Sequence, residues 1–333
     1  MESVRIGVVG TGHLGSLHAK LLAEVKAAKL VQLFDEDRAK AASLAKALGV
    51  SAAGSLDELL RSVDAVSIAT STSSHYDVAV KAIEQGLHVF IEKPITDTIE
   101  RGEDLVERAE RKGVKIQVGH IERFNPAILA LEQYNLKPMF VECHRLAQFN
   151  PRGTDVAVVL DLMIHDIDLI MSLVGSDVTS VEASGVAVVS DSIDIANARL
   201  QFANGCVANV TASRISQNKM RKIRLFQQDS YISIDLLQGQ SEVFRLVDEK
   251  DQKSKPTMLL GKIDQGSRKR MIVYEQPESR EVNALKFELE LFVNSVGTGS
   301  EVPVTGRDGV QALRVAQRIM AAIENYQATV GRS

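Results

Sequence analysis

Three groups of residues in this chain have the types and spacing that chemistry requires. The first is Gly10, Gly12 and Gly15, a G-x-G-x-x-G run between a β-branched stretch and an Ala- and Leu-rich one. In such a setting the first glycine permits a tight turn. The second lets backbone approach a pyrophosphate, and the third lets helix pack on strand. The helix start then offers N–H groups and a positive dipole end to phosphate. Asp35 stands about 20 residues beyond Gly15, where a dinucleotide fold wants a carboxylate for the adenosine ribose. That carboxylate would repel a 2′-phosphate, so NAD is expected over NADP. Arg38 could meet a 2′-phosphate; otherwise it is solvated or lies over the adenine. Three turn glycines with a surface aspartate is the bland alternative.

The second group is Glu92-Lys93-Pro94, directly after the apolar run Val89 to Ile91. Ligands of an open α/β sheet bind beyond the carboxyl ends of its strands. A lysine there, partly desolvated beside a nicotinamide cation, would have a lowered pKa and could exchange a proton. The alternative is a surface lysine before a turn-forming proline. The third group is Asp161, His165 and Asp168, spaced to share one stripe of a helix. Ionisable groups on an otherwise apolar helix need partners, and histidine suits acid–base work. A structural histidine and a metal ligand are the alternatives; no further ligand cluster is visible, so no metal is expected.

These groups need a scaffold. Short apolar runs at Val4 to Val9, Leu30 to Phe34, Ala65 to Ala69, Val89 to Ile91 and Lys115 to Val118 alternate with helical stretches. The helices are expected at Leu14 to Ala27, at Arg38 to Leu48 before Gly49, and near 75–85 and 98–112. The alternation predicts an α/β fold with a doubly wound parallel sheet. Beyond Gly119 the pattern changes. One helix near 158–173 is followed by strand-like runs at 178–189, 195–202, 207–213, 223–226 and 231–235. Turn signals between them predict an α+β domain with an open, mostly antiparallel sheet. A Lys-rich loop at 248–256 and helices near 281–295 and 306–328 complete the chain. The expected domains are 1–120 for the cofactor, 121–305 for substrate and oligomerisation, and 306–333 as a C-terminal helix and tail.

Composition excludes several classes. The 333 residues carry a formal net charge of -4 and no polybasic stretch, which argues against nucleic acid. The most apolar stretch, Val156 to Val174, holds Asp161, His165, Asp166 and Asp168, which would be costly in a bilayer. The start of the chain does not read as a signal peptide. Cys143 and Cys206 form no CxxC motif and fit buried free thiols in a reducing cytoplasm.

Taken together, Ile6-Gly-Val-Val-Gly-Thr-Gly-His-Leu-Gly, Glu92-Lys-Pro, Gly119-His-Ile-Glu-Arg-Phe-Asn-Pro and Asp161-Leu-Met-Ile-His-Asp-Ile-Asp resemble the Gfo/Idh/MocA oxidoreductases along essentially the whole chain. The resemblance implies a Rossmann domain joined to an α/β domain whose open sheet often makes a homodimer or homotetramer. It implies a nicotinamide cofactor and a sugar, cyclitol or nucleotide-sugar substrate. It places the catalytic lysine at Lys93, the catalytic histidine at His165 and a substrate-binding aspartate at Asp161, with a cis bond at Lys93–Pro94. The chemistry implied is hydride transfer from a carbinol carbon to nicotinamide C4. His165 takes the hydroxyl proton and Lys93 hydrogen-bonds the same oxygen.

The expected cofactor set is Gly10, Gly12, His13, Leu14, Gly15, Asp35, Arg38, Thr70, Ser71, His75, Glu92 and Lys93. The expected substrate set is His120, Arg123, Asn125, Arg145, Arg152, Asp161 and His165. The stretches His120 to Pro126 and Arg145 to Asp168 are most similar to the UDP-N-acetylglucosamine 3-dehydrogenase subgroup. In that reading the arginines meet a diphosphate; in the alternative they form ion pairs. An inositol or polyol dehydrogenase is the other enzymatic reading. A non-catalytic NAD-binding sensor would leave Lys93, Asp161 and His165 unexplained.

Overall fold

The computed structural model describes residues 3–150, 156–248, 258–265 and 268–330. By contacts the chain divides into two compact units, residues 1–121 with 282–314, and residues 122–281 with 315–333.

The first unit is built on strands β1 (Val4–Val9), β2 (Ala28–Phe34), β3 (Ser51–Ala52), β4 (Ala65–Ile68), β5 (His88–Glu92) and β6 (Ile116–Gly119). They pair in parallel in the order β3-β2-β1-β4-β5-β6. Every residue of β4 and all but Arg5 of β1 are buried, as parallel strands covered on both faces require. Between the strands run α1 (His13–Leu22), α2 (Arg38–Leu48), α3 (Leu56–Leu60), α4 (Thr72–Glu84) and α5 (Ile99–Lys112). Gly49 closes α2 at φ +68°, the left-handed conformation that glycine enters without a Cβ penalty. The chain order reverses between β1 and β4, which opens a crevice beyond their carboxyl ends.

In the second unit a four-residue helix α6 (Pro126–Leu129) precedes β7 (Phe140–Leu146), and a π-helical turn Val159–Met163 leads into α7 (Ile164–Val174). The strands that follow are β8 (Val178–Val186), β9 (Ile195–Phe202), β10 (Val207–Ser213), β11 (Met220–Gln227), β12 (Ser230–Asp235), β13 (Gln240–Asp248), β14 (Met258–Gln265) and β15 (Arg268–Glu275). The nine-stranded sheet runs β14-β15-β13-β12-β11-β7-β10-β9-β8 and is antiparallel except where β7 meets β10. Val141, Cys143, Ala208, Val210, Ile223 and Leu225 line its buried face. Two helices complete the chain, α8 (Ala284–Thr298) and α9 (Gly306–Val330).

Several expectations are corrected. The first helix ends at Leu22, not Ala27, and β2 begins at Ala28. Strand β3 and helix α3 were not expected, although Ser55-Leu-Asp-Glu is a helix-start signal and the Ser55 hydroxyl accepts from the Glu58 N–H at 3.1 Å. Residues 282–305, expected with the substrate domain, and 306–314, expected with the C-terminal helix and tail, group with the first unit, where Leu289, Phe292 and Val293 pack into its core beside Ile6, Leu22 and Phe90. Each such side chain contributes roughly 1.5–3 kcal/mol on burial. The stretch expected as a Lys-rich loop lies almost wholly outside the described residues.

Candidate active site

The glycine loop shows why each glycine stands where it does. Gly10 has φ +90°, and a Cβ there would lie 2.6 Å from the Ala69 carbonyl oxygen. At Gly15 a Cβ would strike the Gly10 carbonyl at 1.9 Å. Gly12 differs, since nothing lies within 4 Å of where its Cβ would be. The chain's own packing does not require glycine at that point, and the space beside it is open. His13 and Leu14 begin α1 exposed, Leu14 at 44%.

A cleft of about 670 Å³ opens over this loop, lined by Gly10, Gly12, Phe34, Asp35, Thr70 and Ser71 among others. Asp35 lies just past β2. Its Oδ2 accepts the Thr11 N–H at 2.5 Å and the Thr11 hydroxyl at 2.9 Å, and its Oδ1 accepts the Asp37 N–H at 2.9 Å. Burial opposes ionisation, but these donors outweigh it and hold the carboxyl below the usual range. Arg38 turns aside: its guanidinium lies 4.7 Å from the Phe34 ring centroid and donates to the Ala53 carbonyl at 2.9 Å. It lies over this chain's own ring while the residue remains exposed to solvent. Open Gly12, the start of α1 and charged Asp35 on one cleft fit the pyrophosphate and ribose of a dinucleotide.

Glu92 ends β5 and Lys93 follows it, and the Lys93–Pro94 peptide is cis. Lys93 is half-buried, whereas Glu92 is buried. The Glu92 carboxylate has a partner on α1 that none of the three motifs includes. Nε2 of His18 stands 2.9 Å from Glu92 Oε1, and His18 Nδ1 is 2.8 Å from the Ser67 hydroxyl. Burial again opposes charge on Glu92; the His18 contact and the neighbouring Lys93 overcome it and hold the carboxyl low. His75 is also buried. Its Nδ1 is 2.9 Å from the Pro94 carbonyl and its Nε2 3.3 Å from that of Thr70, and burial pushes its pKa down. It clasps backbone on both sides of its ring, at the Thr70 and Pro94 carbonyls. His120 is buried just after β6.

In the second unit, Asp161 and His165 are half-buried. The expected three-residue stripe does not hold. Asp161 sits on the π-turn, and Asp168 is buried on an arginine. A π-turn inserts extra backbone into a helix and re-aims its side chains, often at functional sites. Three substrate candidates are corrected. Arg145 is 3% exposed and donates to both Asp166 oxygens at 2.7 Å and to Glu122 at 2.9 Å. Burial opposes its charge, and the two carboxylates reverse that and raise its pKa. Arg123 forks onto Asp168 at 2.8 and 2.5 Å. Asn125 caps α6, accepting from the Ala127 N–H and donating to the Leu236 carbonyl. All three are committed within the unit, so their ion pairs and cap displace the expected diphosphate contacts. Arg152 lies outside the described residues.

Known proteins match this arrangement in both units. The Gfo/Idh/MocA description "Oxidoreductase family, NAD-binding Rossmann fold" fits residues 4–120, and its companion, "C-terminal alpha/beta domain", fits residues 148–331. The chain belongs to the Gfo/Idh/MocA oxidoreductase family. It is 37% identical to UDP-N-acetylglucosamine 3-dehydrogenase from Acidithiobacillus ferrooxidans, over 98% of this chain and 99% of that one. A solved structure of that enzyme superposes with a TM-score of 0.87 at 36% identity, covering 98% of this chain and 99% of that one. The scyllo-inositol 2-dehydrogenase (NAD(+)) of Bacillus subtilis is 34% identical over 65% of this chain and 68% of its own. Levoglucosan dehydrogenase, solved with NADH and levoglucosan, shares the fold at a TM-score of 0.82 and 19% identity over 97% of this chain and 98% of that one.

This Gfo/Idh/MocA chain is thus an oxidoreductase with an NAD-binding Rossmann unit. Among the described residues no helix is long and apolar enough to cross a membrane, and no three His, Cys, Asp or Glu side chains gather to hold a metal ion. Cys143 and Cys206 are free and buried, and burial pushes both thiols up.

Proposed function

We propose that this enzyme oxidises the 3-hydroxyl of the sugar ring of UDP-N-acetylglucosamine, with NAD in preference to NADP. The observation that carries this reading is the likeness to UDP-N-acetylglucosamine 3-dehydrogenase across 98% of the chain. Bound NAD would accept the hydride at nicotinamide C4. Asp35 accepts from the adenosine ribose, and the open position at Gly12 admits the pyrophosphate. His165 takes the hydroxyl proton, Lys93 hydrogen-bonds the same oxygen, and Asp161 holds the sugar. The row Phe140, Phe226, Tyr231, Phe244 and Tyr274 across the second unit's sheet supports a homodimer or homotetramer. Two free buried cysteines support a cytoplasmic location.

One observation favours a second reading. With Arg123 on Asp168 and Arg145 on Asp166, two of the guanidinium groups expected for a diphosphate are neutralised. A polyol substrate, as in the inositol dehydrogenase relative, needs none. NADH formation with UDP-N-acetylglucosamine, N-acetylglucosamine and myo-inositol decides between them. The nucleotide sugar is expected to turn over with kcat/KM at least about tenfold above either, a difference of about 1.4 kcal/mol in transition-state binding. Equal or better turnover of myo-inositol assigns the polyol reading instead.

A further inference from the structure

Glu92 is a carboxylate enclosed by several elements at once. His18 reaches it from α1, with Nε2 at 2.9 Å, and Ser67 of β4 holds the other ring nitrogen at 2.8 Å. On β6, Gly119 leaves room: a Cβ there would stand 3.0 Å from Glu92 Oε1. The remaining oxygen accepts the Lys93 N–H at 3.3 Å. Packed apolar side chains in such a place would cost less than a buried ion. The arrangement therefore needs a reason, and Lys93, the next residue, supplies one. On the far side of Lys93, His75 of α4 contacts the Pro94 carbonyl at 2.9 Å. Of its two carbonyl contacts this is the shorter, the Thr70 oxygen lying 3.3 Å from Nε2. Neither histidine lines the cleft.

We propose that His18 and His75 are positioning residues that bracket the Glu92–Pro94 turn and so fix where the Lys93 amine stands and which charge faces it. The proposal rests on the reading of Lys93 as a proton-exchanging group. His18 acts through the Glu92 carboxylate, keeping it charged and still beside Lys93. His75 acts through the Pro94 backbone.

The test pairs substitutions that each keep one of the two ring-nitrogen contacts. In His18→Gln the amide reaches the Nε2 position and can meet Glu92. In His18→Asn it reaches the Nδ1 position and can meet only Ser67. Both lose one buried contact, so a merely structural role would affect both alike. Two readouts are taken on NAD-saturated protein: kinetics with UDP-N-acetylglucosamine, and acetylation of Lys93 by acetic anhydride, followed by mass spectrometry against exposed Lys40. His18→Asn is expected to lose about tenfold or more in kcat with KM within about threefold, as a displaced reacting group does. Its Lys93 should label about threefold faster or more, because an unsupported buried Glu92 takes up a proton and no longer stabilises the ammonium. His18→Gln should stay within about threefold of wild type on both readouts.

At His75 the pattern reverses: Asn keeps the Pro94 contact and retains kcat, whereas Gln loses it. Equal losses in the two members of each pair, or losses that follow thermal stability, overturn the proposal. Lys93→Ala is run alongside. If it turns over normally, the assignment of Lys93 fails and the inference falls with it. If it is inactive while the paired variants behave alike, only the inference fails.

Discussion

Arg145 donates to both carboxylate oxygens of Asp166 at 2.7 Å, with side chains 3% and 1% exposed. The pair ties β7 to α7, and Glu122 takes a third donor of the same guanidinium. Breaking such a pair leaves a buried charge without its counter-ion and costs about 3–5 kcal/mol. Arg145→Ala is therefore expected to lower the urea midpoint sharply. Where the variant stays folded, KM for the sugar substrate should barely move. A raised KM with an unchanged midpoint would return Arg145 to the ligand.

The same pair explains what the sequence hid. The Rossmann half was legible because its glycines, apolar runs and Gly49 stop signal are local. Strand β7 was not, because its inward row reads Val141, Cys143, Arg145, and a charge at an inward position breaks the alternation. The partner that permits it, Asp166, lies 21 residues away. Strand β13 was hidden because its residues beyond Val243 are only half-buried, leaving no clean alternation. Gly10, Gly12, Asp35 and the motif lysine could be found by spacing. The role of His18 could not, since the Glu92 contact spans most of a domain in sequence.

Lys93→Ala and His165→Ala are each expected to lose on the order of 10²-fold in kcat, the usual contribution of a positioned acid or base. NADH binding, followed by fluorescence titration, should persist in both. Normal turnover by either variant would remove that residue from the chemistry.

Glu92 gives a pH dependence of defined sign. Its carboxyl is held below the ordinary value of 4.5 in the folded chain. The native state therefore binds fewer protons there than the unfolded state. The resulting stability is fully present above about pH 4.5 and is lost as pH falls through the lower folded value. Glu92→Gln should cost on the order of 1–3 kcal/mol at neutral pH. It should also flatten this part of the acid limb, read by urea unfolding at several pH values. An unchanged acid limb would mean that other carboxylates dominate it.

Phe140, Phe226, Tyr231, Phe244 and Tyr274 form a ladder across β7, β11, β12, β13 and β15, with centroids 5.1–5.9 Å apart. They lie on the face opposite Arg145, where apolar side chains in this number mark an interaction surface. Tyr231→Glu with Phe244→Glu is expected to lower the solution mass measured by light scattering toward that of one chain. An unchanged mass would exclude this face as the contact.

A preference for NAD over NADP is expected from Asp35 and Arg38 together. A 2′-phosphate brought to Asp35 would meet a carboxylate already held in its charged form by Thr11 and Asp37. Like charges about 4 Å apart cost about 1 kcal/mol in water and about 4 near a protein surface. The Arg38 guanidinium is already engaged by the Phe34 ring and the Ala53 carbonyl, which limits how far it offsets this. NAD is therefore expected to bind at least about tenfold more tightly than NADP, the factor that 1.4 kcal/mol gives. Asp35→Asn is the informative variant. It keeps an oxygen for Thr11 and for a ribose hydroxyl while removing the charge, so NAD affinity should fall little and the gap to NADP should narrow. Asp35→Ala removes the acceptor as well and should weaken both. Parallel titrations of the two cofactors give all these values, and tighter binding of NADP to the wild-type chain would overturn the assignment.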